Sequence, residues 1–193
     1  MEFVDPPPTA AWAHQGARLG FEVAFFERNE EGHLISGCTT ALEDEQTWVV
    51  DYQIRLDPQW ITRRARVTGR SAAGSRTVVL EADGLGSWTV DGQAAPQLRG
   101  CLDVDLEASA VTNAFPMHRL ALAVGDRTVT SAAYVRATNL TVDRLEQTYA
   151  RSDDDGERHT YDYSAPDFDF ACTLSYDRTG LVLTYPGLAM RAA

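Results

Sequence analysis

The chain has no lysine. All 17 of its basic side chains are arginines, set against 28 aspartates and glutamates for a net charge of −11. A surface that acidic repels phosphate backbones and disfavours docking on anionic headgroups, so nucleic acid is not expected as a partner. No apolar run approaches the ~18 residues of a transmembrane helix, which argues against stable membrane insertion. The N-terminal Met1-Glu2-Phe3-Val4-Asp5-Pro6-Pro7-Pro8 carries acids and prolines where a signal peptide carries positive charge and then an apolar block. We therefore expect a cytoplasmic location. Cys38, Cys101 and Cys172 are odd in number and widely spaced, which excludes a disulfide framework.

The motifs of chemistry are equally sparse. No histidine pair at helical spacing and no Cys-x-x-Cys is present, and Asp153-Asp154-Asp155-Gly156 lacks the alternating ligands and closing Glu of a calcium loop. We expect no metal and no cofactor. There is no Gly-x-Ser-x-Gly elbow and no glycine-rich phosphate loop. Cys101 and Cys172 fall in strand-like segments, where a buried inert thiol is the common case. No catalytic residue is assigned.

What is present is alternation. Trp48, Val50, Tyr52, Ile54 and Leu56 alternate with polar or smaller residues, and so do Phe168, Phe170, Cys172, Leu174 and Tyr176. Strand side chains point alternately to opposite faces, so both runs read as half-buried strands. Shorter copies occur at Ala65-Val67, Val78-Leu80-Ala82, Trp88-Val90, Leu102-Val104-Leu106, Leu120-Leu122-Val124 and Leu181-Leu183-Tyr185. Gly- and Asp-bearing turns, such as Asp91-Gly92 and Asp177 to Gly180, separate them. The pattern is that of an antiparallel β protein. Val142, Leu145 and Tyr149 fit helix or strand, and strand is preferred; the polar run Arg151 to Arg158 reads as an exposed loop or hairpin tip. One short helix is expected over Ser109 to Phe115, capped by Ser109, with Pro116 near its end. At 193 residues and 44% hydrophobic, one domain spanning 1–193 is expected, with residues 1–10 a flexible N-terminal segment.

Asp103, Asp105 and Glu107 share one strand face, and Arg64, Arg66 and Arg70 share another. The acids can act as an acid/base pair, accept hydrogen bonds from sugar hydroxyls, or form a solvated face with cross-strand ion pairs. Trp48, Trp60, Trp88, Tyr52, Tyr134, Tyr149 and Tyr185 can line an apolar cavity or pack a core.

The stretch Gly100-Cys101-Leu102-Asp103-Val104-Asp105-Leu106, continuing through Thr112-Asn113-Ala114-Phe115-Pro116-Met117-His118-Arg119-Leu120, resembles the signature of the bacterial "putative glycolipid-binding" family, formerly a domain of unknown function. Asp57 to Arg63, Gly86 to Gly92, Gln147 to Tyr149 and Leu181 to Gly187 agree with it in order. Two departures are Ser109-Ala110 in place of the family's Thr-Pro, and His118-Arg119 in place of paired basic residues, which leaves Arg119 as the functional candidate.

The resemblance implies a mainly β fold, a spiral β-roll in which a long curled antiparallel sheet wraps around a single short α-helix. It also implies a homodimer, and a non-catalytic role in binding a glycolipid or other amphipathic molecule. In that reading Asp103, Asp105, Asn113 and Arg119 orient a headgroup while Trp60, Trp88 and Tyr185 form apolar walls. Two alternatives stand beside it: a dimeric β-roll acting through its surface without a small ligand, and a hydrolase using the Asp103/Asp105 pair.

Overall fold

The computed structural model describes residues 3–16, 18–107 and 109–193. Fifteen strands follow in chain order: β1 (Thr9–His14), β2 (Leu19–Asn29), β3 (Gly32–Glu43), β4 (Gln46–Leu56), β5 (Thr62–Ser71), β6 (Gly74–Ala82), β7 (Trp88–Val90), β8 (Gln93–Ala94), β9 (Asp103–Leu106), β10 (Arg127–Val135), β11 (Val142–Asp154), β12 (Arg158–Ala165), β13 (Phe170–Asp177), β14 (Val182–Tyr185) and β15 (Ala189–Arg191). A single α-helix among the described residues, α1 (Ala114–Leu120), lies between β9 and β10.

All fifteen strands form one sheet in the order β8-β7-β6-β5-β4-β3-β2-β1-β15-β14-β13-β12-β11-β10-β9. The chain meanders outward from β1 to β8, crosses to the far end, and meanders back from β9 to β15, which pairs antiparallel with β1. This overturns the expected spiral β-roll. The ladder has two unpaired ends, β8 of two residues and β9 of four, so the sheet stays open and does not curl shut. It is also mixed, because β9 runs parallel to β10. The helix has seven residues, about 10 Å of rise, too short to be the axle of fifteen strands.

The helix also sits further along than the sequence predicts. Val111–Asn113 forms a 3-10 turn that leads into α1. Ser109 keeps a capping role, its Oγ accepting the Val111 N–H at 3.1 Å. Pro116 occupies the first turn of α1 rather than its end, where the missing N–H would lack a helical partner anyway. Ala121, at φ 45°, ends the helix in the left-handed region, its N–H bonding the Met117 carbonyl at 3.1 Å. That reversal is why Leu120-Leu122-Val124 is not a strand.

Elsewhere alternation translates directly. In β4 the side chains of Trp48, Val50, Tyr52, Ile54 and Leu56 are buried and their neighbours are not. The segment around Leu145 is strand throughout. In β13 only Leu174 and Tyr176 are buried; Phe168 falls in a preceding 3-10 turn and is exposed. The polar run at 151–158 is a hairpin tip, but Arg151 at its base is buried and stacks over Tyr161 at 5.8 Å. Met1 and Glu2 of the N-terminal segment, and the Asp154 side chain of the acidic run, lie outside the described residues. Within that segment Phe3 packs on His118 and His159, and the Val4 N–H bonds the Arg178 carbonyl.

The core lies on the inner sheet face, around Trp12, Phe115, Tyr149, Tyr161 and Tyr176, all fully buried. Thr62, which opens β5, reaches β9: its N–H bonds the Leu102 carbonyl at 2.9 Å, and its Oγ1 accepts the Val104 N–H at 3.0 Å.

Candidate functional site

The acids of β9 are not a solvated face. Asp103 and Asp105 are buried, because α1 and its leading turn cover the side that alternation assigns to water. Their compensation differs. Arg119, in the last turn of α1, grips Asp103 with two bonds, Nε to Oδ1 at 3.0 Å and Nη2 to Oδ2 at 2.5 Å, and also donates to Thr130 Oγ1 at 3.0 Å. Burial pushes the Asp103 carboxyl up, and the guanidinium pulls against that rise. Asp105 has neutral donors: Thr112 Oγ1 at 2.7 Å and Gln147 Nε2 at 2.8 Å. Burial, reinforced by the Asp103 charge, lifts its pKa to about 6.

A third buried carboxyl was not legible in the sequence. Glu22, on the inner side of β2, accepts from Tyr52 Oη at 2.7 Å, Ser109 Oγ at 2.5 Å and the Ala110 N–H at 2.7 Å. Burial outweighs these bonds and pushes it up to about 7. Gly37 makes the arrangement possible: a Cβ there would lie 2.3 Å from Tyr52 Oη. That mid-strand glycine is the one sequence feature that could have pointed to it.

Asp105, Ser109 and Ala110 border a cavity of about 230 Å³. Its apolar wall is aromatic and aliphatic, with Tyr134, Tyr163, Phe170, Tyr185, Leu145 and Leu188. Tyr163 and Tyr185 meet edge-to-face at 5.9 Å, and Tyr163 Oη accepts from Gln147 Nε2 at 3.0 Å. Asn113 and Asp105 supply polar atoms; the Asn113 side-chain oxygen also accepts from Tyr149 Oη at 3.2 Å. At the rim, Arg18 bonds Glu43 at 2.9 Å and the Glu107 carbonyl at 3.1 Å. Arg136 lies 3.6 Å from Glu107, with its guanidinium over Tyr134 and Phe168.

Of the seven residues singled out from sequence, Asp105, Asn113 and Tyr185 border this cavity. Asp103 and Arg119 hold each other beside it, so one carboxyl of the presumed acid/base pair faces the space and not two. Trp60 borders a different cavity of about 200 Å³, stacked on His118 at 3.6 Å and leaning on His33 at 4.3 Å. Trp88 is core, its Nε1 donating to the Cys101 carbonyl at 2.8 Å. The sequence reading missed His14, Arg18, Arg136, Tyr163 and Phe170, which come from five strands and loops far apart in the chain. Burial pushes the thiols of Cys38, Cys101 and Cys172 up to about 11, which leaves them poor nucleophiles. Among the described residues no group of three or more His, Cys, Asp or Glu side chains is placed to hold a metal ion, and no helix is long and apolar enough to cross a membrane.

The family model described as "Putative glycolipid-binding" matches residues 9–191, nearly the whole chain. The chain belongs to this family. A solved structure, a DUF1089-family protein of Pseudomonas aeruginosa, is 33% identical and superposes with a TM-score of 0.78 over 89% of this chain and 92% of that one. A β-barrel-like DUF1849 protein from Brucella abortus, 11% identical, has a TM-score of 0.54 over 97% and 95% of the two chains and shares the fold alone. No match was found among curated proteins. Family membership supports a glycolipid- or lipid-binding role without specifying the ligand.

Proposed function

We propose that the cavity beside Asp105 holds the headgroup end of a glycolipid or related amphipathic molecule, without catalysis. The observation that carries this is the pairing, across about 230 Å³, of an aromatic wall with a buried carboxyl and a side-chain amide. Tyrosine rings offer flat apolar faces to the C–H side of a sugar ring, while Asp105 and Asn113 accept from its hydroxyls. The volume lies below the ~300–1,000 Å³ of drug-sized pockets, so it suits one sugar-sized group with the acyl chains outside. Arg18 and Arg136 at the rim suit a neighbouring polar linkage. The homodimer implied by the family resemblance belongs to this proposal and is tested by sedimentation equilibrium. So does the cytoplasm, which the three free cysteines fit.

The test is native mass spectrometry on protein gently purified from its own host, followed by organic extraction. The expected result is a bound lipid or glycolipid of defined mass, whose retention falls about tenfold in Tyr185→Leu, a loss of roughly 1.4 kcal/mol of contact. Apo protein from every growth condition would overturn the proposal and favour a surface-acting protein.

A further inference from the structure

Strand β2 is built the wrong way round for a core strand. Its inner side carries Glu22 and Ala24, and its outer side carries Leu19, Phe21, Val23 and Phe25. Leu19 is 67% exposed, Phe21 55% and Phe25 51%. The neighbouring strands extend the patch with Leu42, opposite Leu19, and Met190, opposite Ala13. Exposed aromatic and aliphatic side chains gathered this way on one sheet face mark a surface that meets something apolar.

The same face carries charge close by, with arginine in slight excess over acid. Reading along the register, Phe25, Ser36, Gln53 and Arg66 form one row, and Phe21, Thr40, Val49 and Arg70 another. Each arginine thus lies three strands, about 14 Å, from a phenylalanine. Arg55 and Arg64 stand beside them on β4 and β5. The acids facing the same way are Glu27, Asp51 and Glu81, of which Asp51 pairs with Arg70 and Glu81 with Arg64. In a chain of net charge −11 this part of the outer face carries four arginines to three acids, and with Arg64 and Arg70 ion-paired the uncompensated charges are Arg55 and Arg66 against Glu27. The acidity that argues against anionic headgroups therefore lies elsewhere on the molecule. Arg18 and Ala189, the sequence neighbours of Leu19 and Met190, border the cavity, but Ala189 points inward where Met190 points outward, so patch and cavity lie on opposite sides of the sheet.

We propose that the outer face of β2, with the arginines of β4 and β5, docks the protein on the surface of an anionic bilayer. Phenylalanine and leucine enter the headgroup–acyl boundary while arginines meet the phosphates, the chemistry of interfacial binding without insertion. A protein held at that surface meets the membrane that would supply its ligand; in that respect the proposal rests on the lipid-binding reading above.

The experiment is co-sedimentation of the full chain with phosphatidylcholine vesicles, with and without phosphatidylglycerol. The expected result is binding that requires phosphatidylglycerol, weakens with salt, and falls by roughly tenfold or more in the double variant Phe21→Glu/Phe25→Glu. Arg55→Glu/Arg66→Glu should lower it by at least about tenfold, since each reversal replaces attraction to the headgroups with repulsion. All four sites are exposed, and unchanged thermal unfolding confirms that the variants fold. Three results would overturn the proposal. One is no association with either vesicle. Another is association indifferent to the phenylalanine variant. The third is a dimer that this variant splits to monomer, meaning that a second copy covers the face. Tyr185→Leu should keep vesicle binding, so failure of the cavity reading and failure of the docking reading are separable.

Discussion

Asp103 and Asp105 stand two residues apart on one four-residue strand, equally buried, and are compensated by opposite means. Asp103 has a full cation in bidentate contact; Asp105 has a threonine hydroxyl and a glutamine amide. Glu22 follows Asp105, held by a tyrosine, a serine and a backbone N–H. Of the three only Asp105 borders the cavity, and Glu22 is joined to it through Ser109 and Ala110, which do. A carboxylate already neutralised by arginine has little left to offer a ligand. One held by neutral dipoles still responds to whatever arrives, including a proton.

The comparison breaks hardest at Arg119. Arg119→Met leaves Asp103 buried without its partner and should cost about 3–5 kcal/mol in urea unfolding. Adding Asp103→Leu should recover most of that loss, since an apolar pair can replace a buried ion pair.

Burial raises all three carboxyls, and for the two with neutral donors the shift reaches about 6 and about 7. Glu22 titrates near 4.5 when unfolded and at about 7 when folded. Between those values the folded protein holds a proton that the unfolded chain releases. Its stabilisation is therefore complete below 4.5 and is lost as pH rises through 7, on the order of 2–3 kcal/mol. Asp105 behaves alike, between 3.8 and about 6. His118 has the opposite sign: burial lowers it from 6.5 to about 4, so its contribution is lost as pH falls through that range. The window from pH 6.5 to 8 thus isolates the carboxyls, and stability measured there should fall with rising pH. Glu22→Gln should flatten that decline, whereas a slope unchanged by the substitution would count against Glu22 as its source.

Two smaller effects sharpen the contrast. Gly37→Ala drives a methyl group into Tyr52 Oη and detaches that donor from Glu22, at about 2 kcal/mol. Arg64→Ala removes an ion pair whose two side chains are half exposed, and chemical denaturation should register less than about 1 kcal/mol.

The strands of this fold were largely legible, because β4, β5 and β6 have one wet face and one dry one and alternate accordingly. The misreadings share a cause. Asp103 and Asp105 alternate as a surface row does, yet β9 is dry on both sides; a covering helix leaves no trace in the strand it covers. Leu120 to Val124 alternate too, but the left-handed Ala121 turns the chain between them. The spiral roll came from the family resemblance, and no period-two pattern reports whether a sheet closes. The candidate site was half visible: Asp105, Asn113 and Tyr185 sit in the motifs quoted, whereas Arg18, Tyr163 and Phe170 meet only through pairings across the sheet. Phe21 and Phe25 have the residue type of a core yet face outward.

Thr62 has a consequence beyond positioning β9. An open sheet presents two rows of unsatisfied backbone groups, each a template on which a foreign strand could grow. At one end the template is only the two residues of β8. At the other, Thr62 occupies the Leu102 carbonyl and the Val104 N–H that an incoming strand would need. A fifteen-stranded sheet thus offers an incoming strand two residues at one end and already-occupied groups at the other, so its own chain sets where it ends.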